Sequence, residues 1–280
     1  GGTPPRTAGR SSATSPSSVD EAPHTLRTGN RRILDAQRFA QVGSWSGQLR
    51  VDGTTFDVTP DVWTGTRDRS WGIRPVGEAE PPGRVAAETP PDYGFWWMYL
   101  PIRFDDFAVV IIAQEDGAGH RSLNDAVRVW PAESGRAPEL LGWPRFTTTY
   151  RSGTREPIST LVEMHDDRGE PFAMDVQSLG WVALHCGAGY GGDPDWTHGQ
   201  WCGRNFAEGL RVDVTDPTVA GRLPFGVLDH VGRARIIGGP HDGRVGWGLY
   251  EHASIGCHTT SGFADFFDVG QLTLGDLDGG

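Results

Sequence analysis

The stretch WSGQLRVDGTTFDVT, residues 45–59, reads as two strands joined by a turn. Trp45, Gly47, Leu49 and Val51 alternate with Ser46, Gln48, Arg50 and Asp52, the period of two that puts successive side chains on opposite faces of a sheet. Asp52-Gly53 marks a two-residue hairpin, because a type I′ turn needs positive φ at both central positions. Phe56 and Val58 then alternate with Asp57 and Thr59.

The same reading extends outward along the chain. Strand-like runs follow at FWWMYLPI, FAVVIIAQ, AVRVW, RFTTTY, STLVEM, FAMDVQSLGWVALHC, LRVDV, VLDHVGRARII and GWGLYEHASI, with Gly, Pro or Asp in most of the gaps. Many short strands separated by turn signals predict a β-barrel or sandwich. Composition agrees. Gly (40) and Pro (20) are in excess, which disfavours long helices. Eleven Trp and twelve Phe are too much apolar surface for a wholly disordered chain. In 33–41 (ILDAQRFAQ) the sequence has its one short segment with helical potential.

The opening stretch has a partner. WCGRNFAEGLRVDVT, residues 201–215, repeats it at an offset of 156: Trp45 with Trp201, Gly53 with Gly209, and Asp57-Val58-Thr59 with Asp213-Val214-Thr215. Five residues further out of step, Asp68 aligns with Asp229. WWMY at 96–99 also resembles WGLY at 247–250. Two copies of one β-unit account for these matches.

The copies are unequal. Residues 1–30 hold 18 Ser, Thr, Gly or Pro, a composition that predicts a loose tail. The second copy has strands before Trp201 that the first has no room for. The expected organisation is a disordered tail at 1–30, a first barrel at 31–142 lacking its opening strands, a second at 143–265 and a tail at 266–280. The chain is thus expected to be truncated at its N-terminus.

Charge excludes some partners. All 25 basic residues are Arg, the net charge is -11, and no basic run exceeds Arg31-Arg32. No nucleic-acid backbone or anionic membrane surface is expected as a partner. No run approaches 18 apolar residues, so no membrane span is expected. Three cysteines, an odd number, and the lack of an apolar leader point to the cytoplasm.

Familiar motifs are weak. Residues 187–192, GAGYGG, fit G-x-G-x-x-G, but no helical pattern follows to hold a pyrophosphate. Cys186, His198, Cys202, Cys257 and His258 match no zinc spacing. No metal or organic cofactor is expected. There is no G-x-S-x-G elbow, and a Ser-His-Asp triad assembled from distant residues stays open.

Residues 64–74 (TGTRDRSWGIR) are dense in polar groups. In a strand, Asp68 and Ser70 share one face, and Arg67, Arg69 and Trp71 the other. Asp68 belongs either to a ligand site or to an Asp–Arg knot. In 227–236, His230 lies on the more apolar face and Asp229 on the other. In 245–255, Glu251 interrupts an apolar row of Val245, Trp247, Leu249, Ala253 and Ile255. A carboxyl in such a row tends to a raised pKa, which suits a general acid. A buried ion pair at Glu251 and a satisfied core histidine at His230 are the bland alternatives.

The stretches RFAQVGSWSGQLRVDGTTFDVTPDVWTGTRDRSWGIRPVGE, FWWMYLPIRFDDFAVVIIAQED, DWTHGQW, LDHVGRAR and GWGLYEHASIGCH resemble a bacterial family of largely unknown function. That family is similar to the tandem-lipocalin (calycin-like) proteins of the AttH and carotenoid 1,2-hydratase superfamily. The resemblance covers about residues 35–263. It implies an all-β fold of two tandem lipocalin-like antiparallel barrels with an apolar pocket. In the hydratase branch it implies a carboxylic acid that protonates an alkene before water adds; related branches are pericyclases. The acid itself does not align here.

The expected function is therefore binding of a small apolar molecule, an isoprenoid, steroid or lipid-derived compound, in a barrel cavity. Acid-catalysed hydration, isomerisation or cyclisation would be the chemistry of such an enzyme. Glu251, His230, Asp229 and Asp68 are the candidate proton-handling groups. Arg67, Arg74 and Tyr250 would orient polar ends of the ligand, and Trp71, Trp97 and Trp247 would form walls. Tyr99, His198 and His252 complete the candidate ligand contacts. A non-catalytic lipid carrier, or a structural protein with solid barrels, is the alternative.

Overall fold

The computed structural model describes residues 17–28, 30–73, 83, 92–191, 193, 195–198 and 200–271. The fold is all-β, as the alternation requires. The strands are β1 (Ser17–Thr28), β2 (Arg31–Ser44), β3 (Gly47–Val51), β4 (Thr54–Val58), β5 (Thr64–Ile73), β6 (Gly94–Arg103), β7 (Ala108–Asp116), β8 (Arg121–Val129), β9 (Glu139–Leu140), β10 (Arg145–Tyr150), β11 (Pro157–His165), β12 (Pro171–Ala183), β13 (Leu228–Ile237) and β14 (Val245–Gly256). A short helix, α1 (Pro217–Ala220), is capped by Asp216, whose side chain accepts from Thr218 N.

Nine strands form one antiparallel sheet in the order β10-β11-β12-β13-β14-β6-β7-β8-β9. The sheet curls around a single core to which both ends contribute. Met98, Leu100, Ile102, Val109 and Ile111 meet Val162, Met164, Met174, Val176, Ala234 and Ile236 there. Alternation decides which side chains enter: on β13, Leu228, His230, Gly232, Ala234 and Ile236 are turned inward and the residues between them outward. The sheet crosses residue 142, because β14 pairs with β6 from Gly248↔Ile102 to Gly256↔Gly94. At that seam the backbones come close: a Cβ on Gly248 would lie 2.0 Å from the Pro101 carbonyl oxygen.

A second sheet, β1-β2-β5, covers the outer face of the first. Ala40 and Val42 of β2 pack on Tyr99, Ala108, Val110, Ile112, Leu123 and Val127. Two expectations are corrected here. Residues 17–28, expected in the loose tail, form β1, because β2 offers them a long pairing edge from Ser17↔Val42 to Thr28↔Arg31. Residues 33–41, given helical potential, are extended. Leu34, Ala36, Arg38, Ala40 and Val42 are all buried, a period of two that only a strand can bury on one side.

The opening hairpin is present as β3-β4, with Asp52 at φ 48° and Gly53 at φ 85°. Its counterpart at 201–215 forms no strand. There Glu208 replaces Asp52, and a longer side chain tolerates the left-handed region less well. The segment after β14 is tied down: Arg155 donates to the carbonyls of Asp268, Ser254 and Gly256 at 2.8, 3.0 and 2.7 Å, and also to that of Asp265.

Candidate functional site

The covering sheet and the curled sheet face each other across a polar layer. On the curled sheet one cross-strand row runs Asp229↔Glu251, Glu251↔Tyr99, Tyr99↔Ile112 and Ile112↔Asp125. All five point outward, because all are in register and a sheet keeps directly opposed side chains on one face. On the covering sheet, Glu21↔Arg38↔Ser70 and Val19↔Ala40↔Asp68 are rows on its inner face. The layer between them holds five carboxyl groups: Glu21, Asp68, Asp125, Asp229 and Glu251.

Glu251 is the centre of this layer. Its carboxylate oxygen accepts from the Trp97 indole N–H. Asp229 is opposite it on the next strand. Burial pushes the Glu251 carboxyl well above the ordinary carboxylate range, and the Asp229 charge and the hydrogen bond to Asp229 push it further. Asp229 is also raised by burial, while accepting from Glu251 opposes the rise. A proton on Glu251 is therefore favoured by the neighbouring Asp229 charge. The second oxygen of Asp229, Oδ1, is buried with no hydrogen-bond partner among the described residues. No ion pair joins either group to an arginine among the described residues.

Glu21 and Arg38 extend the site. The Arg38 Nε lies 4.0 Å from Glu21 Oε2, and its guanidinium sits 5.4 Å from the Trp97 ring centroid. Burial raises the Glu21 carboxyl to about 8 against the opposing pull of Arg38. Asp125 uses one oxygen to accept from Ala22 N at 2.8 Å, pinning β1 to β8. Tyr99 is buried and its hydroxyl has no hydrogen-bond partner among the described residues. Burial, then Glu21, Asp68 and Glu251, push its ionisation upward, so it stays neutral.

A cleft of about 540 Å³ opens beside this layer. Trp247 and Leu249, on the same β14 row as Glu251, form one wall. Val42 and Thr66 of the covering sheet, Thr66 on the Asp68 face, form the other, and Val62 and Val231 close it.

The sequence candidates divide into three groups. Glu251, Asp229, Asp68, Trp97, Tyr99 and Trp247 share the inter-sheet face. His230, Tyr250 and His252 point the other way, into the curled sheet. Tyr250 bonds Thr160 Oγ1 at 2.6 Å. His252 places Nδ1 2.7 Å from the Trp97 carbonyl and Nε2 3.0 Å from the Tyr150 hydroxyl. Nδ1 therefore carries the proton and Nε2 accepts. Burial lowers His252 to about 3 and His230 to about 4, so both are neutral. His230 Nδ1 is 2.6 Å from Ser178 Oγ. The third group is remote. Arg67 and Trp71 lie on the outer face of β5, where Arg67 bonds Gln41 at 3.1 Å and Trp71 packs on Phe39. His198 stacks on Tyr190 in the 187–200 loop. Arg74 is outside the described residues.

Glu21 and Arg38 are members of this polar layer that the sequence did not mark. Glu21 sits in a Ser- and Pro-rich stretch that has no clear strand pattern. The glycine-rich loop is also settled locally: the amides of Gly187 and Gly189 donate to the Asp193 carboxylate at 2.9–3.0 Å, which occupies the place an anion would take. Among the described residues, Glu139, Asp166 and Asp167 are the acidic group close enough to share an ion, Glu139 and Asp166 half-buried and Asp167 exposed. No helix there is long and apolar enough to cross a membrane.

The chain belongs to a family of unknown function, DUF8625, whose model matches residues 11–264. No curated protein matches it. Among solved structures, it is similar to the crystal structure of kievitone hydratase from Nectria haematococca (C2 SG). That likeness has 13% identity and a TM-score of 0.37, over 78% of this chain and 53% of that one. The chain spans about half the length of that structure.

Proposed function

We propose that this protein binds a small, largely apolar molecule in the inter-sheet cleft and protonates it from Glu251. An isoprenoid, steroid or lipid-derived compound with a carbon–carbon double bond fits the chemistry. The observation that carries the reading is the Glu251–Asp229 pair: a proton-bearing carboxyl on an apolar row, held by an indole N–H, with no arginine to ionise it among the described residues. Such a group, its proton held well above the ordinary carboxylate range, suits a general acid.

In hydration, Glu251 would deliver its proton to one alkene carbon, and water would add to the other. The proton released by that water would return to the carboxyl pair. The faces of Trp97 and Trp247 would stabilise transient positive charge. Isomerisation or cyclisation would use the same proton and lose a different one. The interior of the curled sheet is filled by Met98, Leu100, Ile111, Met164 and Met174, so this reading locates the ligand between the sheets.

Native mass spectrometry of the protein purified from its own host, looking for a co-purified lipid, tests binding. Glu251→Gln then separates chemistry from binding. The reading expects the variant to retain the lipid and lose its conversion by about 100-fold or more. No co-purified lipid and unchanged behaviour in Glu251→Gln would refute it.

A further inference from the structure

At the other end of the curled sheet, Ser261, His258 and Glu115 line a separate pocket of about 350 Å³. We infer that these three form a nucleophile, base and orienting acid that cleave a small carboxylic ester. The Ser261 hydroxyl lies 2.8 Å from His258 Nδ1, and His258 Nε2 lies 3.1 Å from Glu115 Oε2. His258 and Ser261 share one turn and Glu115 comes from a distant strand, and no sequence motif announces them.

The protonation states follow from the bonds. Glu115 Oε1 accepts twice from Arg121, at 2.9 and 2.6 Å. Burial pushes Glu115 up, but the hydrogen bonds of His258 and Arg121 and the Arg121 charge outweigh it and hold the carboxyl below its ordinary value. An ionised Glu115 only accepts, so His258 carries its proton on Nε2. His258 Nδ1 is then the free base that faces the serine, the arrangement that activates a hydroxyl nucleophile.

The parts are held stiffly. Trp96 stacks on the His258 ring at 5.5 Å. Paired backbone bonds, His258 N to Phe263 O at 2.7 Å and Phe263 N to His258 O at 3.0 Å, close the turn that presents Ser261. Gly262 follows it at φ 77°. His258 is 2% exposed, whereas Ser261 reaches the pocket. The Tyr150 hydroxyl lies 3.2 Å from Ser261 Oγ, with its own proton directed to His252 Nε2. Phe146 and Trp96 give the pocket an aromatic wall, and Arg145 gives it a cation. A flat ester carrying a negative charge suits that lining.

In the reaction, Ser261 Oγ bonds to the ester carbonyl carbon and its proton passes to His258 Nδ1. The ester C–O bond then breaks, and the leaving alcohol takes that proton. Water, deprotonated by His258, attacks the acyl-serine; the acid departs and Ser261 regains its proton.

The test is exposure of the whole chain to a fluorophosphonate, with peptide mass spectrometry to locate the adduct, alongside hydrolysis of p-nitrophenyl acetate. A single adduct on Ser261 is expected. Ester hydrolysis should fall about 1,000-fold in Ser261→Ala. In Glu115→Gln the acid limb of the pH–rate profile should shift, which a purely structural Glu115 would not cause. Absence of an adduct at Ser261 in the unaltered protein, a measurement that needs no variant to fold, overturns the inference. So does unchanged ester hydrolysis in Ser261→Ala.

Discussion

The Glu251 carboxyl is tuned by burial and by neighbours on two strands. Asp229 on one side raises it, and Trp97 on the other bonds it. Trp97→Phe removes that N–H donor, which favours the ionised form of Glu251. The Glu251 pKa should therefore rise further in the variant, as a carboxyl-specific NMR titration would show. Gly248 is a different kind of residue, required for space. Its missing Cβ would lie 2.0 Å from Pro101 O and 2.9 Å from Ile102 Cα. Gly248→Ala should cost roughly 3 kcal/mol or more in urea unfolding, because backbone cannot move aside cheaply. At this scale the sequence was informative about faces. Period two placed Glu251 with Trp247 and Leu249, and His230 opposite Asp229, as the structure has them. It could not say what each face meets. His230 and Glu251 were candidates for one role, yet they stand on opposite sides of the same sheet.

Elements show why part of the site was hidden. β1 lies in a stretch whose Ser, Thr and Pro content reads as tail, and it exists because β2 pairs with it and Asp125 anchors it. Its Glu21 came with it into the polar layer. The folded Glu21 value, about 8, is above its ordinary 4.5. The folded state therefore holds a proton that the unfolded state releases as pH rises from 4.5. Stability from this group is fully present below about pH 4.5 and is lost as pH climbs through 8. Amide exchange in β1 should accelerate across that interval, and Glu21→Gln should flatten the dependence. The hairpin repeat carries a further lesson. Asp52-Gly53 predicted β3-β4 correctly, because Asp tolerates positive φ. Glu208-Gly209 kept the pattern of the turn but not its chemistry, and the second hairpin did not form. The related strands β5 and β13 did form, and they bring Asp68 and Asp229 into one layer.

At the scale of the whole molecule, strands from both sides of residue 142 share one sheet and one core. A cut there would separate β6 from β14 and expose the Leu100, Ile102, Met174 and Ile236 surfaces. Unfolding by urea should therefore show a single transition for the nine-stranded sheet, the same by Trp fluorescence and by circular dichroism. Acid should weaken the sheet through its interior histidines. His230 and His252 are held at about 4 and 3, below the 6.5 of an unfolded histidine. Their contribution is present above about pH 6.5 and is lost as pH falls through 4 and 3. The central claim concerns the proton between the two sheets. A pH titration of ¹³C-glutamate-labelled protein, with Glu251 assigned through Glu251→Gln and Glu21 through Glu21→Gln, measures it directly. The account predicts that the Glu251 carboxyl titrates well above the ordinary carboxylate range. Titration of Glu251 near 4.5, as for an exposed carboxylate, would contradict it.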